Sequence, residues 1–391
     1  MKFKNIFVLL MLGSLNLTYA STDYAETLKS IVAANPQMKA QATRLNANKT
    51  ENLTGLNLPN PEVEFAYQFG NAAAESDKQI LDVTQEFDFA TLSGSKRNLA
   101  YALNAEAETE FYLFQNNLTS EVDLLMTQKV YLLKLDEFYK KRVSAANELY
   151  DVANQRFEHG SISVVELNQA KMELSLAKNE LMLNEIEIST VSDRLKTLSG
   201  GSINWDGNDY MEYLLPTDYS SWADSQSAQD PLTLLALAQV KRAESELKLR
   251  KKEQLPGFSL GYSSEMTKAE SFYGFKVGLE LPFWANKGKV KAARQAKEAA
   301  DVEVEVAKED FVLTERAAYN RALQLARSLS EVKKITKDSD YSLNLKTLLE
   351  EGKISINDYL LQLKPIRDMQ QILLESEYAY QQAVVEFRNM R

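Results

Sequence analysis

The sequence predicts a mainly α protein with a small β part: long antiparallel coiled-coil helices, two β-hairpins and an internal two-fold repeat. Three observations lead there. Between Gly94 and Gly160 lie 65 residues without glycine or proline, and between Gly288 and Gly352 lie 63. Two segments alternate strictly between apolar and polar side chains. Both features occur twice in the same order, at offsets of 197 (Pro59 to Pro256), 194 (Gly94 to Gly288) and 192 (Gly160 to Gly352).

The helices follow from the scarcity of breakers. The chain has 391 residues but only 14 glycines and 8 prolines, about half the usual share of these residues. A helix of 65 residues would span about 98 Å at ~1.5 Å per residue, too long for a globular helix and suited to a coiled coil or helical duct. Leu118, Val122, Leu125, Leu132, Tyr139, Val143, Ala146, Tyr150, Ala153 and Phe157 keep steps of three and four, interrupted at Lys129 and Asp136. Leu167, Leu174, Leu181, Ile188 and Leu195 repeat every seven residues. Sustained heptads supercoil left-handedly. A second stripe through Tyr131, Leu135, Phe138, Ala145, Leu149 and Val152 gives one helix two partners, as in a closed ring. Gly160 and Gly352 then become turns between antiparallel helices.

The hairpins follow from alternation. After Pro59 and Pro61, Val63, Phe65, Tyr67 and Phe69 point one way, and Glu62, Glu64, Ala66 and Gln68 the other. Leu81, Val83, Phe87 and Phe89 alternate with Asp82, Thr84, Glu86 and Asp88. After Pro256 the pattern returns, with Phe275, Val277, Leu279, Leu281 and Phe283 alternating with Lys276, Gly278, Glu280 and Pro282. Strands of this length and dyad pattern fit a transmembrane barrel. Four strands leave open edges that lipid does not tolerate, so other copies must close the sheet. A dimer gives eight strands and a trimer twelve. The acids of the inner face favour the larger, wet lumen, because small barrels are filled by side chains.

The expected organisation is a signal peptide over 1–20 and a first repeat over 21–200. That repeat holds a helix, hairpin 61–90, long helix 95–158, tip turn 159–162 and helix 163–199. An irregular connector occupies 201–230. The second repeat, 231–391, holds a helix, hairpin 257–283, long helix 287–350, tip turn 351–354 and helix 355–391. Lys2 and Lys4, the apolar stretch from Ile6 to Leu17 and the small Ala20 read as an export signal. Its removal takes two lysines and no acid from a net charge of -10, leaving about -12. With no cysteine, disulfides, thiolate metal sites, cysteine nucleophiles and a lipidated N-terminus are excluded. With His159 the sole histidine, His triads and multi-histidine metal sites are excluded too. No pairing of nucleophile and base is present, so neither an enzyme nor a cofactor is expected, and no nucleic-acid partner either.

These elements, in this order, resemble the TolC-like outer membrane efflux proteins. The resemblance rests on Leu58-Pro59-Asn60-Pro61 before the first hairpin, Gly94-Ser95-Lys96-Arg97 after it, the run from Leu281 to Gly288, and the matched tips Phe157–Glu166 and Leu349–Asp358. It implies a homotrimer with a twelve-stranded β-barrel in the outer membrane, a trimeric α-barrel in the periplasm and no lipid anchor. It implies a passive exit duct for small molecules or metal ions. The implied partners are outer membrane lipid, a periplasmic adaptor (membrane fusion protein) and an inner-membrane pump of the resistance-nodulation-division type. A type I protein secretion duct has the same architecture, and a soluble secreted coiled-coil scaffold is the reading without a membrane.

By the same resemblance, Glu166, Gln169 and Asp358 would narrow the periplasmic aperture, and the bland alternative makes the two acids ordinary helix N-terminal carboxylates. Gly160, Ser161, Gly352 and Lys353 would meet the adaptor. The family's tip arginine corresponds to Ile162 and Ile354. The lumen would carry Glu62, Glu64, Asp82, Glu86, Asp88 and Glu280, favouring cations; the alternative is a merely solvated wall. The lipid face would carry Val63, Phe65, Tyr67, Phe69, Phe275, Val277 and Leu279. Pro365 should kink the last helix or sit at a bend.

Overall fold

The computed structural model describes residues 21–70, 77–201, 205–207, 209–226, 230–337 and 341–390. The expected signal peptide and most of the first hairpin loop lie outside them. The chain runs α1 (Ser21–Ala34), α2 (Pro36–Asn52), β1 (Glu62–Gln68), β2 (Lys78–Phe87), α3 (Phe89–Leu92), α4 (Ser95–Glu158), α5 (Val164–Leu198) and α6 (Tyr219–Gln226). It continues with α7 (Pro231–Lys252), β3 (Gly257–Met266), β4 (Ser271–Glu280), α8 (Lys289–Lys337), α9 (Tyr341–Glu350) and α10 (Ile356–Arg388). It is mainly helical with one small sheet. The 64 residues of α4 extend over about 96 Å at ~1.5 Å each. No described helix is long and apolar enough to cross a membrane.

The chain divides into two compact units. The first comprises the N-terminus to Pro36, Leu118–Thr217 and Ala318–Asn389. Its α4 segment buries Leu118, Val122, Met126 and Val130, the i, i+4 spacing that puts side chains on one helix face. Lys129, which interrupts the apolar stripe, is 2 % exposed; its ammonium donates to the Trp205 carbonyl and pairs with Asp206 at 3.0 Å. Beside it, the buried Asp123 accepts the Tyr24 hydroxyl at 2.9 Å and the Asn389 amide at 2.8 Å, and pairs with Arg388. Two turns of α4 therefore hold α1, the connector and the C-terminal end, and each buried charge has partners that offset its desolvation. Burial and the Asp123 carboxylate push the Tyr24 hydroxyl well above its usual pKa.

The second unit comprises Gln37–Asn117 and Asp218–Ala317, with the last two residues. Its helices meet through Ala100, Ala102, Ala236, Ala243, Ala293 and Ala300, all buried, which lets backbones approach closely. Asp230 caps α7, accepting from the Leu232 and Thr233 amides at 3.1 and 2.9 Å, with Pro231 at the first helical position. All four strands belong to this unit and form one antiparallel sheet in the order β1-β2-β3-β4.

The last helix runs unbroken through Pro365. The ring costs the bond to the carbonyl of Leu361, four residues earlier. Leu361 is 68 % exposed, so that carbonyl can turn to water. In the second half, α8 ends at Lys337 and α9 begins at Tyr341; residues 338–340 are outside the described set.

Candidate functional site

Two places gather the side chains singled out above: the sheet and the helical tips. In the sheet, register decides which side chains share a face, because directly opposed residues point the same way. Val63 opposes Val83 and Phe65 opposes Leu81. Val83 opposes Tyr262 and Phe87 opposes Phe258. Tyr262 opposes Phe275, Leu260 opposes Val277, and Phe258 opposes Leu279. One face is thus apolar across all four strands. It is bare: Val63 is 65 %, Phe65 64 %, Phe275 91 % and Val277 79 % exposed. Phe69 lies just past β1 and stacks edge-on against Tyr67, with ring centroids 4.8 Å apart.

The opposite face is polar. Glu64 opposes Asp82, Asp82 opposes Ser263, and Glu86 opposes Ser259. Ser263 opposes Gly274, Gly261 opposes Lys276, and Gly257 opposes Glu280. By parity this face holds six carboxylates (Glu62, Glu64, Asp82, Glu86, Glu265 and Glu280) and two ammonium groups (Lys78 and Lys276), a net -4. Lys276 pairs with Asp82, and Lys78 with Glu265 at 2.5 Å. Glu265 is absent from the lumen acids expected from the sequence, although it is the next residue after Ser263 with the same parity on β3. Asp88 sits beyond β2, not on the sheet. Its carboxylate caps α3 by accepting the Thr91 amide at 2.7 Å, and pairs with Lys96 at 3.2 Å. The polar face of β3 and β4 holds Gly257, Gly261, Gly274 and Gly278; a Cβ on Gly261 would meet the Val83 carbonyl oxygen at 2.8 Å, so a side chain there would force the backbone to shift.

The tips are built twice from the same parts. Gly160 and Gly352 take φ of 67° and 71°, the left-handed region that costs other residues strain. Their amides donate to Phe157 and Leu349 carbonyls at 2.9 and 3.0 Å. The next amides, of Ser161 and Lys353, donate to Arg156 and Leu348 at 2.8 and 2.9 Å, completing two Schellman caps. The chain then restarts on a serine cap. Ser163 accepts the Glu166 amide at 3.3 Å while the Glu166 carboxylate accepts the Ser163 amide at 3.0 Å, a reciprocal capping box. Ser355 accepts the Asp358 amide at 3.1 Å, and its hydroxyl donates to the Asp358 carboxylate at 2.7 Å. Both acids thus stand in the first turn of a helix, where the macrodipole favours negative charge.

Ile162 and Ile354 pack with Leu149, Ala153, Leu349, Ile356 and Tyr359 in one core cluster under both tips. Ile162 and Ile354 therefore bury apolar area beneath the tips. The Gln169 side-chain nitrogen donates to Asn357 at 3.3 Å, and its amide oxygen is buried without a partner. Arg156 donates to the Leu349 carbonyl at 2.7 Å and so joins the two tips, a role sequence alone did not indicate; its last-turn position was the available signal. Further along, Glu173 takes both Arg142, at 3.2 Å, and Arg367, with all three at 13–15 % side-chain exposure. Burial lowers the Arg367 pKa, with Glu173 opposing and Arg142 adding to the shift. A cavity of about 330 Å³ beside them is lined by Phe138, Lys346, Tyr359 and Leu363. His159 is exposed. Among the described residues no three His, Asp or Glu side chains are grouped to hold a metal.

Residues 223–390 match the outer membrane efflux protein family. No curated protein matches the chain. Among solved structures, a membrane protein from Pseudomonas aeruginosa is similar at 14 % identity and a TM-score of 0.78, covering 94 % of this chain and 90 % of that one. The Campylobacter jejuni CmeC outer membrane channel is similar at 16 % identity and 0.74, covering 96 % and 88 %. The Neisseria gonorrhoeae MtrE outer membrane channel is similar at 14 % and 0.72, covering 96 % and 91 %. At these identities the likeness establishes a common fold.

Proposed function

We infer that this chain, which carries an outer membrane efflux protein domain over residues 223–390, is the outer membrane duct of a tripartite efflux system. The observation that carries the reading is the sheet. It has one bare apolar face, one acidic face, and two edges, β1 and β4, each with a single neighbour. Water tolerates neither the bare face nor the open edges well. Lipid accepts the apolar face but not the edges. Three copies joined β1 to β4 would supply twelve strands, cover every edge and leave a lumen wide enough to stay wet.

In that assembly the polar face lines the pore. Three copies bring a net charge of about -12, from the -4 of each face. A wall of one sign concentrates counter-ions, so the duct passes cations more readily than anions. The helices extend into the periplasm, and the tips dock an adaptor through Gly160, Ser161, Gly352 and Lys353. Glu166, Gln169 and Asp358 form the aperture there. The pump beyond is of the resistance-nodulation-division type. No covalent step is required: the protein removes a barrier, and the pump supplies the energy.

The test is a planar bilayer holding the detergent-purified assembly under a salt gradient. The expected result is a conductance with a cation-selective reversal potential, which moves toward zero in the Glu62→Gln/Glu64→Gln/Glu86→Gln variant while the channel still opens. An assembly of one or two chains, or a mature protein that stays in the aqueous fraction after lysis, would overturn the reading.

A further inference from the structure

Resting on the barrel reading above, we propose that the base of the sheet carries a basic collar that binds anionic phospholipid headgroups of the leaflet it meets. The register puts Glu62, Phe87, Gly257 and Glu280 at one end of the four strands. The start of α4, the end of α7 and the start of α8 follow or precede those residues within a short stretch of chain. These segments are strongly basic in a protein of net charge -10. Residues 281–297 contain five lysines and arginines and no acid.

The cations face solvent, and Lys289 also donates to the Asn286 side-chain oxygen at 2.9 Å. Arg97, Lys251, Lys252, Lys287, Lys289 and Lys291 are all exposed. Several acids near them are already engaged: Asp88 by Lys96, Glu246 and Glu253 by Arg250, and Asp301 by Lys297, while Glu62 and Glu280 belong to the polar face of the sheet. Among the described residues none of the six has an ion pair. The Asn286 side chain donates to the Glu253 carbonyl at 2.5 Å and holds the α7 and α8 ends together, so the lysines on both belong to one patch.

The occupant follows from what adjoins the patch. It is continuous with the apolar face, and Phe283 and Trp284, 69 % and 83 % exposed, lie between β4 and the lysines with ring centroids 5.8 Å apart. Aromatic rings beside an apolar band mark the headgroup level of a bilayer. Unpaired ammonium groups at that level meet lipid phosphates. A free phosphate or an acidic protein would satisfy the charge but would leave the adjoining aromatic pair bare.

The assay uses the full assembly in phosphatidylcholine vesicles with 30 % brominated phosphatidylglycerol, and Trp fluorescence quenching reports the lipid beside Trp284. A second arm uses brominated phosphatidylcholine at the same fraction. The expected result is about three-fold stronger quenching by the anionic lipid, falling to parity in Lys287→Gln/Lys289→Gln/Lys291→Gln and at high salt, as surface-charge attraction predicts. Equal quenching by both lipids in the wild type, or an anionic preference that survives the triple substitution, overturns the collar while leaving the barrel intact. Failure to float with either vesicle overturns the barrel reading and the collar with it. Inorganic phosphate that abolishes the preference at an ionic strength where chloride leaves it intact would assign the patch to a soluble anion and also overturn the proposal.

Discussion

A single arginine at residue 275 separates a membrane barrel from a soluble scaffold. The 10 residues of β4 span about 34 Å at ~3.4 Å each, or about 26 Å when tilted by ~40°. Phe275 lies at their centre, on the bare face, opposite Tyr262 with ring centroids 6.3 Å apart. If the face met water, Phe275→Arg would replace an exposed ring by a solvated charge and change stability by no more than about 0.5 kcal/mol. In lipid it puts a guanidinium near the midplane at about 2–4 kcal/mol per chain, hence roughly 6–12 kcal/mol for three. The control is Glu64→Arg, on the polar face, where the same charge stays hydrated. The assay is the yield of detergent-extracted assembly from the membrane fraction and its unfolding temperature on a semi-native gel. The expected result is severe loss for Phe275→Arg and near wild-type behaviour for Glu64→Arg. Equal yields and melting temperatures for the two variants would refute the assignment of lipid and lumen faces.

Three further outcomes follow from the helices. Replacing both Ser163 and Ser355 by Ala removes the tip caps at about 1 kcal/mol each but keeps both acids; conductance should stay near wild type, whereas Glu166→Lys/Asp358→Lys should change it, and matched effects in bilayer recordings would assign the acids to capping alone. Glu173→Gln takes the carboxylate from Arg367, while Arg142 keeps its pair with Glu180; the apparent melting temperature should fall by the equivalent of about 3 kcal/mol, and an unchanged value would show that the Glu173 pairs contribute nothing. Burial raises the Glu106 pKa above its usual 4.5, against the pull of Arg242. A carboxyl raised on folding contributes most below the unfolded value and loses that contribution as pH climbs through the folded one. Glu106→Gln should therefore melt higher than wild type at pH 7.5 and no higher at pH 4; a lower melting temperature at pH 7.5 would contradict this.

What could be read from the sequence is what the backbone itself demands. A left-handed residue after a long helix needs glycine, and Gly160 and Gly352 have no atom within 4 Å of where a Cβ would stand; their presence reflects dihedral angles alone, so a single sequence displays it. The strands are legible for a related reason. Each has one mostly apolar and one mostly polar face, so the alternation shows without knowledge of partners, with Ile80 and Phe272 as exceptions on the polar side. The hub around Asp123 and Lys129 is different. Lys129 looks like a flaw in a heptad stripe because its partners, Trp205 and Asp206, stand 76 and 77 residues away. Glu173 is likewise unremarkable until Arg142 and Arg367, 31 and 194 residues distant, converge on it. Charges that close a helix bundle carry no local pattern.

The same contrast bears on the acid excess. As a composition, -10 over 391 residues predicts only solubility and repulsion of anions. The register resolves it into surfaces of opposite sign within one unit: carboxylates outnumber ammonium groups six to two on one face of the sheet, while residues 281–297 at its base are exclusively basic. Such segregation is costly in a free monomer, because like charges crowd together on both surfaces. It becomes favourable when each surface faces a different medium, an ion-filled lumen for the carboxylates and lipid phosphates for the lysines. The charge pattern and the bare apolar face therefore argue for the same environment independently, since neither the period-two alternation of the strands nor the helical segments beneath them required the other.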